Sequence, residues 1–121
     1  MEYNEYELLE LFEDEPVVVV DEQTGMFMYS KNDDYGFQLI LTTSVHENKC
    51  SVSLGYEHFK GLIFDFELED INQIKGENNC LTILGNGGST ELEISFRPHF
   101  SLKTVRLYFM QFSNLCIYAN S

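Results

Sequence analysis

The sequence predicts a mainly β fold, an antiparallel sandwich or flattened barrel of about eight to ten short strands with one short N-terminal helix. Three observations predict it. Apolar and polar residues alternate over many short segments, as side chains do on the two faces of a strand. Turn signals rich in Gly, Asn and Asp recur about every eight to twelve residues. The sequence has no β-helix-β repeat, which argues against a parallel α/β fold.

The helix is expected over residues 4–13. Asn4 suits the N-cap, and Glu7, three residues later, suits the reciprocal position of a capping box. An apolar stripe follows, formed by Leu8, Leu9, Leu11 and Phe12. The length of 121 residues fits one domain. We therefore expect a single β-rich domain over residues 1–121, with this helix packed on the sheet.

Strands are expected along the rest of the chain. The run Val17–Val20 is β-branched throughout, which is typical of a strand buried on both faces. Later strands are expected at residues 26–30, 36–43, 51–54, 61–70, 70–74, 80–84, 90–97, 102–110 and 115–118. The turns between them include 76–79 and 85–89, which are rich in Gly and Asn.

The strand expected at residues 61–70 has two chemically different faces. Its apolar face is formed by Phe64, Phe66 and Leu68. Its opposite face is formed by Asp65, Glu67 and Glu69, with carboxylates roughly 7 Å apart. We call these three acidic residues the acidic row. The alternation predicts that the apolar face covers a core while the acidic row faces solvent.

The charge distribution indicates which class of molecule the protein can bind. The formal net charge is −13, and residues 1–70 hold 17 of the 20 acidic residues. Such a field repels nucleic acid and anionic lipid, and it attracts basic proteins. The first fifteen residues carry seven acids and no basic residue, the opposite of the basic start of a signal peptide. We therefore expect a cytoplasmic protein that binds neither nucleic acid nor membrane.

No metal or cofactor is expected. Cys50, Cys80 and Cys116 show no C-x-x-C spacing, which argues against a disulfide framework and a zinc site and favours reduced thiols. The three histidines are scattered. One alternative stays open, a small-ligand or carbohydrate-binding sandwich, either without a metal or with calcium bound by turn acids such as Asp33 and Asp34.

A catalytic role is not expected either. Asp65, Glu67, Glu69 and Asp70 have the chemistry of a general acid and base, as glycosidases require. Catalysis would need at least one desolvated carboxyl group, however, and carboxylates on an outward strand face are solvated. The glycine-rich loop 85–89 lacks the lysine and the following helix of a phosphate-binding loop.

Three segments resemble those of small acidic immunity proteins from bacterial polymorphic-toxin systems. They are residues 8–12 (LLELF), 64–71 (FDFELEDI) and 92–98 (LEISFRP). The resemblance implies a non-enzymatic cytoplasmic protein that binds and neutralises one cognate toxin. A row of carboxylates that imitates a polyanion adds the expectation of a basic partner such as a nuclease. The resemblance carries over no contact residues.

We infer the expected contact surface from the positions of acidic residues and tyrosines instead. A basic partner would be attracted by carboxylates and anchored by tyrosines. The expected partner-binding residues are Asp65, Glu67, Glu69, Asp70, Tyr56, Asp33, Asp34 and Tyr35. An unpaired edge strand would serve equally for a homodimer.

Overall fold

The computed structural model describes residues 1–106, which form two five-stranded sheets and one α-helix. The helix, α1, spans Glu5–Phe12. The strands are β1 (Glu2–Tyr3), β2 (Val17–Val18), β3 (Met26–Asn32), β4 (Phe37–Ser44), β5 (Lys49–Tyr56), β6 (Phe59–Leu68), β7 (Ile71–Glu77), β8 (Cys80–Gly85), β9 (Thr90–Ser95) and β10 (Ser101–Val105). Short 3₁₀ turns lie at Glu22–Thr24, Val45–Glu47 and Asn86–Gly88.

The strands divide between two sheets of simple topology. Sheet A has the order β1-β7-β8-β9-β10, and sheet B has the order β2-β3-β4-β5-β6. The neighbouring strands are antiparallel except for the parallel pair of β1 and β7. The predicted mainly β fold with a short N-terminal helix is confirmed. Of the two architectures left open, residues 1–106 form the sandwich and not the flattened barrel, because their two sheets do not close into a barrel.

One apolar core joins the helix to the inner faces of both sheets. Phe12 connects the three parts most directly. Its ring centroid lies 5.4 Å from that of Tyr29 on β3 and 5.2 Å from that of Phe96, which follows β9. The helix also approaches β7 closely, since a Cβ atom at Gly76 would lie only 3.0 Å from the Glu7 carbonyl oxygen. Glycine at this position allows the helix to rest on the strand.

The predicted helix is confirmed, with one change at its start. The Asn4 side chain accepts a hydrogen bond from the Tyr6 N–H at 2.9 Å, as expected of an N-cap. The Glu7 carboxylate does not close a capping box. It accepts instead from the Gly76 N–H at 3.3 Å, because side-chain packing of the helix on β7 brings this carboxylate to the strand.

Replacing Asn4 by alanine is expected to lower the free energy of unfolding by about 1 kcal/mol, since the Tyr6 N–H loses its acceptor. Chemical denaturation of the full chain measures the effect. Asn4→Asp keeps an acceptor oxygen and should retain most of the stability. An Asn4→Ala variant as stable as the parent would show that the cap contributes nothing here.

The expectation for Val17–Val20 is wrong. Only Val17 and Val18 form a strand, and they are 58% and 38% exposed. Val20 is 85% exposed and has a positive φ of 70°. The run lies at the outer edge of sheet B, where no second layer covers it among the described residues. Its β-branched composition therefore reflects an edge strand.

Most other strand predictions are confirmed to within a few residues. Alternate residues of β4 and β5 are buried as expected, namely Leu39, Leu41, Val52 and Leu54. The turn before β8 uses Asn78 and Asn79, both at positive φ. β10 confirms the start of the strand expected at 102–110. The rest of that strand, the strand expected at 115–118 and Cys116 lie outside the described residues.

Within residues 1–106, no helix has the length and apolarity that crossing a membrane requires.

Candidate functional site

The acidic row begins on an edge strand. β6 is the last strand of sheet B and, within the described part of the chain, pairs only with β5. Asp65 lies opposite Ser53 and Glu67 lies opposite Ser51, so both acidic residues share the outer face with small hydroxyl side chains. Both acidic side chains are exposed. They therefore lie where a partner can reach them.

The other face of β6 anchors the strand. Phe64 and Phe66 stack with their ring centroids 4.9 Å apart, and both pack against the core. Leu68 is buried. The predicted split of this strand into an apolar and an acidic face is confirmed. Burial of the phenylalanines holds the acidic residues outward, because neighbouring side chains on a strand point to opposite faces.

The acidic row ends beyond the strand, near a lysine. Glu69 follows the last residue of β6, and its carboxylate lies 3.7 Å from the Lys49 Nζ atom. The same ammonium group lies 3.4 Å from Glu47. A hydrogen bond with Glu47 and the charge of Glu69 raise the pKa of Lys49. Asp70 then reverses the chain into β7 at a positive φ of 55°.

A shallow cleft of about 260 Å³ lies at this end of sheet B. Residues of β3 to β6 and of the segment after β6 line it. They include Thr42, Ser51, Lys49, Glu67 and Glu69. Two members of the acidic row therefore share one concave surface with a single lysine. This arrangement suits a cationic group that displaces the Lys49 ammonium from Glu69.

The remaining predicted residues lie at the opposite end of sheet B. Asp33, Asp34 and Tyr56 line a second cleft of about 550 Å³ between the β3–β4 and β5–β6 turns. Tyr35 is exposed, and its ring centroid lies 6.0 Å from that of His99. The eight predicted residues thus form two groups, one at the β3–β4 and β5–β6 turns and the other in the second half of β6 and just beyond it. Their role in partner binding stays a prediction.

Two of these residues already have structural partners. The Asp33 Oδ1 atom accepts hydrogen bonds from the Tyr35 and Phe37 N–H groups, both at 2.9 Å, and so holds the turn. The Tyr56 ring stacks on Phe37 at a centroid distance of 4.5 Å. Asp33 is therefore positioned by the backbone of its own turn, and Tyr56 by its ring contact with Phe37.

Sequence reasoning missed an exposed apolar group on the same strand. Phe59, Leu62 and Ile63 in the first half of β6 are 53%, 50% and 48% exposed. The sequence did contain a signal of this exposure, because Leu62, Ile63 and Phe64 are consecutive and a strand cannot turn all three inward. β6 thus has apolar side chains at one end and carboxylates at the other, both accessible.

The two described thiols show no sign of reactivity. Cys50 is buried, and its burial raises the pKa of the thiol to about 12. Burial also raises the pKa of the half-buried Cys80. A thiol with a raised pKa is a poor nucleophile. Within residues 1–106, no three or more His, Cys, Asp or Glu side chains are grouped as a metal site would require.

The buried Cys50 should make stability fall at alkaline pH. Above about pH 9 the thiol ionises in the unfolded chain but stays neutral in the folded protein until about pH 12. Between pH 8 and 10.5, wild type should lose about 2 kcal/mol more unfolding free energy than Cys50→Ala. Urea unfolding at both pH values tests this. Equal losses in the two proteins would contradict it, and Cys80→Ala is the control for a less buried thiol.

Comparison with known proteins identifies the fold. No protein-family model matches the chain, and no curated protein matches it in sequence. Its fold is similar to that of a chain in the solved contact-dependent growth inhibition toxin–immunity protein complex from Klebsiella pneumoniae 342. The TM-score is 0.67 at 21% identity, covering 83% of this chain and 90% of that chain. The resemblance inferred from the sequence is therefore confirmed at the level of the fold.

Proposed function

We propose that this chain is a non-enzymatic immunity protein that binds and neutralises a basic toxin in the cytoplasm. The observation that carries the proposal is the acidic row on the exposed edge strand β6, within a fold found in a toxin–immunity complex. An acidic surface suits the inhibitor of a cation-rich enzyme such as a nuclease, because it covers the groups that bind an anionic substrate.

The edge strand supplies the three components of a protein interface. Among residues 1–106 no strand pairs with its outer edge, so a strand of the partner can pair with the backbone N–H and C=O groups there. Phe59, Leu62 and Ile63 supply apolar area that binding can bury. Asp65 and Glu67 supply the charge that steers a basic partner to this strand. The turn group of Asp33, Asp34, Tyr35 and Tyr56 extends the same surface in our proposal.

The immunity role is favoured over the toxin role by charge. The similar structure contains both a toxin and its immunity protein. A toxin that acts on nucleic acid needs a basic substrate cleft. The present chain has a net charge of −13, and 17 of its 20 acidic residues lie within residues 1–70. This negative charge complements the positive charge of such a toxin.

Co-expression tests the proposal. The gene next to this one in the source genome is predicted to encode a large secreted toxin, and its C-terminal domain is expressed alone and with the present chain. Growth should stop with the toxin domain alone and recover with both, and the purified proteins should form a complex. The Klebsiella toxin serves as a non-cognate control that should not be neutralised. Absence of protection by the present chain, or metabolic enzymes as neighbours, would refute the proposal.

A further inference from the structure

A second concave site lies at the other edge of sheet B. It is a pocket of about 270 Å³ between α1, the segment before β2, and β3. Four aromatic side chains line it, namely Tyr3, Tyr6, Phe27 and Tyr29. Two carboxylate residues, Glu5 and Glu15, also line it, and no lysine, arginine or histidine does. None of these six residues belongs to the partner surface predicted from the sequence.

The pocket has an aromatic floor and an open, acidic rim. Tyr29 is 2% exposed, and Tyr3 and Phe27 are partly buried against the core. Tyr6 is 80% exposed, and Glu5 and Glu15 are exposed. A group that enters the pocket would therefore lose water against the aromatic rings while it stays within reach of carboxylates.

The Glu5 carboxylate places a negative charge near Tyr3 and Tyr29, the two tyrosines inside this pocket. Burial raises the pKa of both Tyr3 and Tyr29, and the nearby Glu5 carboxylate raises each further. Lys31, a cation on the same strand as Tyr29, is bonded to Glu13 instead. The field inside the pocket therefore favours a positive group.

These features fit one class of ligand. Aromatic faces attract organic cations, and carboxylates form charge-assisted hydrogen bonds with guanidinium and ammonium groups. The volume lies just below the roughly 300–1,000 Å³ of sites for drug-sized molecules, so it suits a single side chain. We propose that the pocket binds the guanidinium or ammonium group of one arginine or lysine of a bound protein. The claim that this side chain comes from a bound protein rests on the proposed function. The claim that the pocket binds a cationic group does not.

The test uses the full chain alone and a small probe, N-acetyl-arginine amide, followed by NMR. The neutral isostere N-acetyl-citrulline amide is the matched control, because it has nearly the same shape without the charge. The arginine probe should cause saturable shifts in the aromatic resonances of Tyr3, Tyr6, Phe27 and Tyr29. The citrulline probe should bind at least about tenfold more weakly.

Variants identify the groups responsible. Glu5→Gln combined with Glu15→Gln should weaken binding of the arginine probe about tenfold, and Tyr6→Ala should weaken it about two- to fivefold. Tyr6 is exposed, so its loss should leave the fold intact. Glu10→Gln, an exposed acid on the same helix that does not line the pocket, should change nothing.

Three results would overturn the pocket proposal. They are equal binding of both probes, shifts confined to the acidic row, and unchanged binding by the Glu5 and Glu15 double variant. Failure of the co-expression experiment together with a positive titration would refute the immunity function and leave the pocket established. The two proposals therefore fail separately.

Discussion

Replacing Asp65, Glu67 and Glu69 by lysine is expected to slow association with the cognate toxin by about 10- to 1000-fold at low salt. The three carboxylates lie on or just beyond an exposed edge strand, where their field reaches an approaching partner. The association rate of the variant should also depend less on salt, because the attraction that salt screens has been removed. Stopped-flow or surface-based kinetics over a range of ionic strength measure both effects.

The matched control carries the same change in net charge elsewhere. Glu2, Glu10 and Glu77 are exposed acids on β1, α1 and β7, outside the predicted surface. Their replacement by lysine should slow association much less. If both triple variants slowed it equally, total charge and not the acidic row would govern the encounter. If neither did, the row would be an ordinary solvated surface.

Replacing Phe12 by alanine is expected to lower the free energy of unfolding by about 3–5 kcal/mol. The side chain is 2% exposed and contacts Tyr29 of sheet B and Phe96 beside sheet A. Its removal would leave a cavity where helix and both sheets meet, and it would break two aromatic pairs. Urea denaturation followed by circular dichroism measures the change.

Glu10→Ala provides the comparison on the same helix. Its side chain is exposed, so its removal should change the unfolding free energy by no more than about 0.5 kcal/mol. A Phe12→Ala variant that lost less than about 1 kcal/mol would show that the helix contributes little to the core. In that case the two sheets would hold together without it.

Local patterns predicted most of the elements. Asn4 caps the helix because its side chain reaches an N–H two residues away. The burial of Leu39, Leu41, Val52 and Leu54 follows from period-2 alternation, which depends only on neighbouring residues. The Asn78–Asn79 turn follows from the tolerance of asparagine for positive φ. Each of these features is decided within a few residues of sequence.

The predictions that depended on distant neighbours were less successful. Val17, Val18 and Val20 are exposed because their run lies at a sheet edge, which composition does not reveal. In the strand expected at 90–97, Glu91 and Glu93 alternate with Leu92 and Ile94, which predicts a solvent-facing Glu91, yet this residue is 3% exposed. Its Oε1 atom accepts a hydrogen bond from the Ser89 hydroxyl at 2.9 Å, beside the space left by Gly85.

The sequence by itself determined the mainly β fold, the N-terminal helix and the outward direction of Asp65 and Glu67. Only the tertiary structure decided that β6 is an edge strand and that Asp33, Asp34 and Tyr56 lie at its far end. Only the tertiary structure brought tyrosines from β1, α1 and β3 into one pocket. The physical reason is that side-chain direction is a local property of the backbone, whereas strand order depends on how distant apolar faces cover a shared core.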